Sequence, residues 1–125
     1  MTCSNSTYET LLDLVKTRMS VRKFRPDPMP EDTINKILEV ARWAMSGANS
    51  QPWEFVVVRD PQVKEELSRV HPWVYMAAEA PAAVVVLAET SKEWWKDDSA
   101  AAKQNLLLPA ANRGPGAAGG GIKQH

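Results

Sequence analysis

The chain has 125 residues, 44% of them hydrophobic, and its 15 Lys plus Arg are balanced by 15 Asp plus Glu. That length suits a single domain with a real core, and zero net charge argues against a general nucleic-acid or membrane-surface binder, which is usually basic. The lone cysteine, Cys3, excludes an intrachain disulfide and sits in a polar stretch. With no apolar leader and no run approaching the roughly 20 apolar residues of a membrane span, a soluble cytoplasmic protein is expected.

Tyr8, Leu11, Leu12, Val15 and Met19 recur at helical spacing and predict an amphipathic helix over residues 6–18. "RMSVRKFR", residues 18–25, then places four cations in eight residues with no anion. "RPDPMPED" follows, and its three prolines predict an extended connector. Pro30, Glu31 and Asp32 suit a helix start, and Ile34, Ile37, Leu38, Ala41 and Met45 mark one face of a second helix over 31–45. "SGANSQP" breaks it, and "WEFVVVRD" predicts a buried strand. A third helix is predicted over 61–70, where Pro61 follows a capping Asp60. "PWVYMAAEA" is ambiguous between loop and short helix.

"AAVVVLAE", about 82–89, predicts a second strand buried on both faces. "DDSAAAKQNLLL" predicts a helix, and Pro109 is expected to end or kink it by clashing with the Asn105 carbonyl. Five of the six glycines lie between Gly114 and Gly121, so residues 109–125 read as an atypical Gly-rich tail on a single domain spanning 1–125. There is no internal repeat.

Two stretches carry candidate chemistry. Arg18, Ser20 and Arg22 suit a phosphate, because guanidinium forks match its oxygens and a hydroxyl adds a neutral donor. Solvated charges at a helix end explain the same residues, and R-x-S-x-R is a weak pattern by itself. In "SGANSQPW", residues 46–53, Gly47 allows close backbone approach, while Ser46, Asn49 and Gln51 offer uncharged donors and acceptors suited to a heterocycle edge. A helix C-terminal turn with Gly47 left-handed explains that stretch equally well. His71, His125 and Cys3 have no metal-ligand spacing, and no metal site is expected. Asp97 and Asp98 read as an acidic helix start, and Trp94 and Trp95 as packing or interface residues.

"RMSVRKFRPDPMPEDTINKILEVARWAMSGANSQPWEFVVVRDP" resembles the N-terminal half of the FMN-dependent nitroreductase family, in which an Arg-x-Ser-x-Arg-x-Phe motif, a proline connector, a helix and a Ser-Gly-x-Asn-x-Gln-Pro-Trp loop occur in this order. The likeness spans about Arg18 to Leu108. It implies an α+β nitroreductase-like fold, with a central sheet flanked by helices and incomplete toward the C-terminus. It implies a homodimer with FMN in a cleft between subunits. Arg18, Ser20 and Arg22 match positions holding the flavin phosphate and ribityl chain, and Met19 supplies backbone there. Met45, Ser46 and Gly47 match a loop reaching the flavin from the partner subunit, and Asn49 and Gln51 match polar positions of that motif.

By the same resemblance, NADH or NADPH reduces FMN by hydride transfer and leaves. A nitroaromatic, quinone or similar acceptor then takes the electrons. No catalytic side chain is required, because the flavin carries the chemistry. Family members are longer, and "PAANRGPGAAGGGIKQH" departs from their usual helix, turn and strand, so a shortened or frame-altered chain is expected. The alternative is a catalytically impaired nitroreductase-like dimer that binds flavin weakly or not at all.

Overall fold

The computed structural model describes residues 5–21, 23–24 and 27–112. Six regular elements follow in order: α1 (Asn5–Thr17), α2 (Glu31–Arg42), β1 (Trp53–Val58), α3 (Pro61–Ser68), β2 (Ala83–Ala88) and α4 (Trp95–Asn112). Short 3-10 segments cover Gly47–Asn49 and Pro72–Ala78. The ambiguous "PWVYMAAEA" therefore resolves as a 3-10 turn, started by Pro72 and capped by His71 Nδ1, which accepts from the Trp73 amide at 3.2 Å. The Gly-rich stretch from 113 onward lies outside the described residues.

The core forms where α2 packs on α4. Ile34, Ile37 and Ala41 project from α2 at helical spacing and are buried, and α4, against which α2 packs, buries Ala102 and Ala110. Small residues on α4 let the two helices approach closely, while each buried isoleucine contributes about 1.5–3 kcal/mol from water exclusion. Asn105 Nδ2 adds a hydrogen bond to the Val40 carbonyl at 3.2 Å. Trp53 at the start of β1 and Met76 and Ala80 around the second 3-10 segment complete the buried apolar set.

β1 and β2 pair antiparallel, in a register that sets Trp53 opposite Ala88 and Val58 opposite Ala83. The Glu89 amide extends the ladder to the Pro52 carbonyl at 2.8 Å. Burial of the second strand on both faces is not observed: its residues are half-buried and Leu87 is exposed, as is Val56 on β1. Only two strands are paired among the described residues, so each strand keeps one unpaired edge and part of one face.

Two helix ends differ from expectation. α2 stops at Arg42 rather than at 45, because the Trp43 and Ala44 amides turn back to Val40 and Ala41 in tighter i→i+3 bonds. This leaves Met45 outside the helix and strongly exposed. Conversely, α4 runs through Pro109 to Asn112. Proline there forfeits one amide bond near the end of an 18-residue helix, which the rest of the helix outweighs.

α3 starts as expected. Asp60 Oδ1 accepts from the Gln62 amide at 2.8 Å and the Val63 amide at 3.3 Å, with Pro61 in the first turn. α1 contacts α4, yet it buries no residue fully: Tyr8, Leu11 and Val15 are about half exposed, and Met19 beyond its end more so.

Candidate functional site

The loop between α2 and β1 is the most constrained segment of the described chain. Ala48, Asn49 and Gln51 all stand in the left-handed region, at φ 52°, 55° and 48°. Each costs an L-residue roughly 1–2 kcal/mol, so the surroundings must hold them there. Four bonds do so. The Asn49 amide reaches the Ser46 carbonyl and the Ser50 amide the Gly47 carbonyl, both at 3.0 Å. The Gln51 amide donates to Ser46 Oγ at 3.1 Å, and Gln51 Nε2 donates to Asn49 Oδ1 at 2.8 Å.

Gly47 itself is not left-handed. What its position requires is close approach: a Cβ built there would collide with Trp94 Cδ1 and stand 3.1 Å from Cγ. The left-handed conformation considered for Gly47 falls instead on Ala48, Asn49 and Gln51. The Gly47 amide donates to the Asp98 carboxylate, 3.2 Å from Oδ1 and 3.3 Å from Oδ2. Asp98 is only 5% exposed. A bond from an amide to a buried carboxylate contributes about 1.5–3 kcal/mol, enough to offset much of the loop's strain. Reading Asp98 merely as an acidic helix start missed this link, and no local pattern announces a partner 51 residues away.

Of the polar positions in this loop, Ser46 is half-buried while Asn49 and Gln51 are exposed. Gln51 lines an open depression of about 300 Å³ together with Pro52, Trp53, Glu54, Leu87, Ala88 and Glu89. Upstream, Glu39 on α2 accepts from Trp43 Nε1 at 2.9 Å and Arg42 Nη1 at 3.0 Å. The indole N–H is the main reason its carboxyl is held below the usual range; slight desolvation opposes this, and the charge and hydrogen bond of Arg42 reinforce it.

Arg18 is half-buried at the end of α1, and its amide still bonds the Leu14 carbonyl at 3.2 Å. Its guanidinium makes no ion pair among the described residues. Met19 and Ser20 are exposed, and Arg22 lies outside the described residues. Among the described residues no hydrogen bond or ion pair joins residues 18–24 to the 45–51 loop.

These features fit the two parts of a flavin mononucleotide. A half-buried guanidinium with no carboxylate partner is what a phosphate dianion needs. A fixed loop of uncharged donors and acceptors is what a heterocycle edge needs. No cluster of His, Cys, Asp and Glu able to hold a metal occurs among the described residues.

The fold matches solved structures closely. A candidate NADH dehydrogenase/NAD(P)H nitroreductase from Bacteroides thetaiotaomicron superposes with a TM-score of 0.81 at 32% identity, covering 84% of this chain and 63% of its own. A nitroreductase with bound FMN from Bacteroides fragilis superposes at 0.72 with 29% identity, covering 83% and 65%. The chain is thus an α+β protein of the nitroreductase fold. The sequence model of the nitroreductase family matches residues 15–71.

Among curated relatives, a candidate NADH dehydrogenase/NAD(P)H nitroreductase of Methanothermobacter thermautotrophicus is 39% identical over 75 residues, 60% of this chain and 39% of the relative. An iodotyrosine deiodinase of Thermotoga neapolitana is 42% identical over 60 residues, 48% of this chain and 32% of the relative. The chain therefore spans well under half the length of these curated relatives.

Proposed function

We propose that this chain forms the FMN-binding part of an oxidoreductase that takes electrons from NADH or NADPH and passes them to a nitroaromatic, a quinone or a similar acceptor. The observation that carries the reading is the fixed 46–51 loop in the family's register with Arg18. Arg18, Ser20 and Arg22, with the Met19 backbone, would hold the phosphate and ribityl chain. Met45, Ser46, Gly47, Asn49 and Gln51 would meet the ring system. Bound FMN would supply hydride acceptance and onward electron transfer. The protein's own contribution is to bind the flavin, orient it and exclude water around it, so no catalytic acid, base or nucleophile is assigned.

The proposal includes a homodimer formed by single nitroreductase-like domains in the cytoplasm. Tyr8, Leu11, Val15 and Met19 form an apolar stripe left exposed in one chain, as a subunit contact requires. Among the described residues neither Arg18 nor Ser20 is bonded to the loop, which fits a site shared across two subunits. The likeness to the Bacteroides fragilis nitroreductase, which binds FMN, supports the cofactor. The likeness to the Methanothermobacter protein supports the nicotinamide donor.

The deciding measurement is the visible spectrum of the purified chain after incubation with FMN and desalting. Flavin absorbance near-stoichiometric with protein is expected, together with NADH or NADPH oxidation in the presence of menadione or a nitroaromatic. A colourless protein sinks the cofactor assignment. Bound flavin without turnover establishes the impaired, non-enzymatic dimer instead. A second acceptor class has its own support in the deiodinase likeness. An iodinated phenol as acceptor, scored by iodide release, tests it.

A further inference from the structure

We infer that Asp98, with Trp94, is a positioning residue for the candidate flavin site: the first turn of α4 clamps the 46–51 loop through the Gly47 amide. The inference rests on the flavin reading for its functional half. Its structural half stands on geometry alone.

Three observations converge on one peptide group. The Gly47 N–H is shared between both oxygens of Asp98, at 3.2 and 3.3 Å. The Trp94 indole fills the space that any side chain at 47 would need. Trp94 and Asp98 are themselves joined, because the Asp98 amide closes the first α4 turn on the Trp94 carbonyl at 2.9 Å. One helical turn thus supplies both an anchor and a wall. The anchored residue immediately precedes Ala48 and Asn49, which adopt left-handed φ and present the loop's polar groups. A backbone of this kind relaxes when its anchor is lost, and the donors offered to a ligand move with it. Asp98 does not touch the proposed ligand; it acts through Gly47.

The test is amide exchange by NMR combined with FMN titration, on wild type, Asp98→Ala and Asp98→Asn. In wild type, with or without FMN, the Gly47 amide is expected to be protected. Asp98→Ala is expected to speed Gly47 exchange at least about tenfold relative to the Ile37 amide in the core, and to weaken the FMN dissociation constant about tenfold. Asp98→Asn keeps an acceptor oxygen in place and is expected to restore most of both. A purely structural role would speed Gly47 and Ile37 alike and leave FMN affinity unchanged in the folded fraction.

An unprotected Gly47 amide in wild type overturns the clamp even if Asp98→Ala fails to fold. So does Gly47 exchange in Asp98→Asn that rises as far as full loss of protection. A wild type that takes up no FMN defeats the flavin reading, while the exchange data still decide the clamp.

Discussion

Asn105 ties the middle of α4 to the end of α2: its Nδ2 donates to the Val40 carbonyl at 3.2 Å. Val40 lies in the last turn of α2, where its carbonyl also accepts the Trp43 amide at 3.3 Å. The loop that carries Ser46, Gly47 and Asn49 begins just beyond this turn. Asn105→Ala is expected to cost about 0.5–1.5 kcal/mol in urea unfolding. Asn105→Asp is expected to cost more, because it replaces the donor with an anion beside the negative end of a helix. Equal stability of the aspartate and alanine variants would show that the contact carries no weight.

Gly47→Ala is expected to destabilise the protein by about 1–3 kcal/mol, since its Cβ must displace the Trp94 ring. Trp94 is half exposed and has room to swing outward, so the lower part of that range applies if it does. Combining Gly47→Ala with Trp94→Ala removes the obstruction. The double variant is therefore expected to be less destabilised than the sum of the singles, a coupling that a thermodynamic cycle measures directly. Strict additivity would mean that the indole does not abut Gly47.

How far these features were legible in the sequence varies with the range of the interactions. The six elements follow from local periodicity and from Pro and Asp signals, so α3 with its Asp60 cap fell where expected. The 46–53 loop stood out as a helix-breaking stretch of small polar residues, but those residues alone suit a plain helix C-terminal turn equally well. Its internal conformation was not legible: Ala48 is left-handed although alanine has no such preference, and it is held by bonds within the loop together with the tertiary anchor on Asp98. Helix ends were misplaced for the same reason. Composition does not reveal that Trp43 and Ala44 tighten into i→i+3 bonds, nor that α4 tolerates Pro109. The exposed stripe of α1 matches its sequence pattern, but the pattern alone cannot say whether the covering surface lies in the same chain.

Glu39 predicts a pH effect with a definite sign. Folding lowers its pKa through the Trp43 indole N–H, with help from Arg42. The unfolded chain therefore takes up the proton at higher pH than the folded one. The stability due to Glu39 is fully present above the ordinary glutamate range and disappears as pH falls through the lowered value. Unfolding midpoints of wild type and Glu39→Gln, measured from neutral pH down through the acid range, should converge on acidification. A gap that widens toward low pH would contradict the Trp43–Glu39 contact.

Lys64 is buried on α3, and its ammonium donates to the Ala80 carbonyl at 2.6 Å. It ties α3 to the chain just after the second 3-10 segment. Lys64→Met preserves most of the apolar stem, so packing changes little. Two electrostatic effects then oppose each other: the variant escapes the cost of burying a charge, but it leaves the Ala80 carbonyl without its donor. An unsatisfied buried carbonyl costs about 1–3 kcal/mol, and the bond to Ala80 already compensates the ammonium for part of its lost hydration, which limits the relief from desolvation. The orphaned carbonyl should win, giving a net loss of about 1 kcal/mol in urea unfolding. Lys64→Ala adds a cavity and should cost about 2–5 kcal/mol. Lys36→Met is the matched control, because Lys36 is exposed in a surface pair with Asp32 and its loss should stay within about 0.5 kcal/mol. If Lys64→Met instead equals or exceeds wild-type stability, desolvation dominates and the bond to Ala80 is not what holds α3 in place.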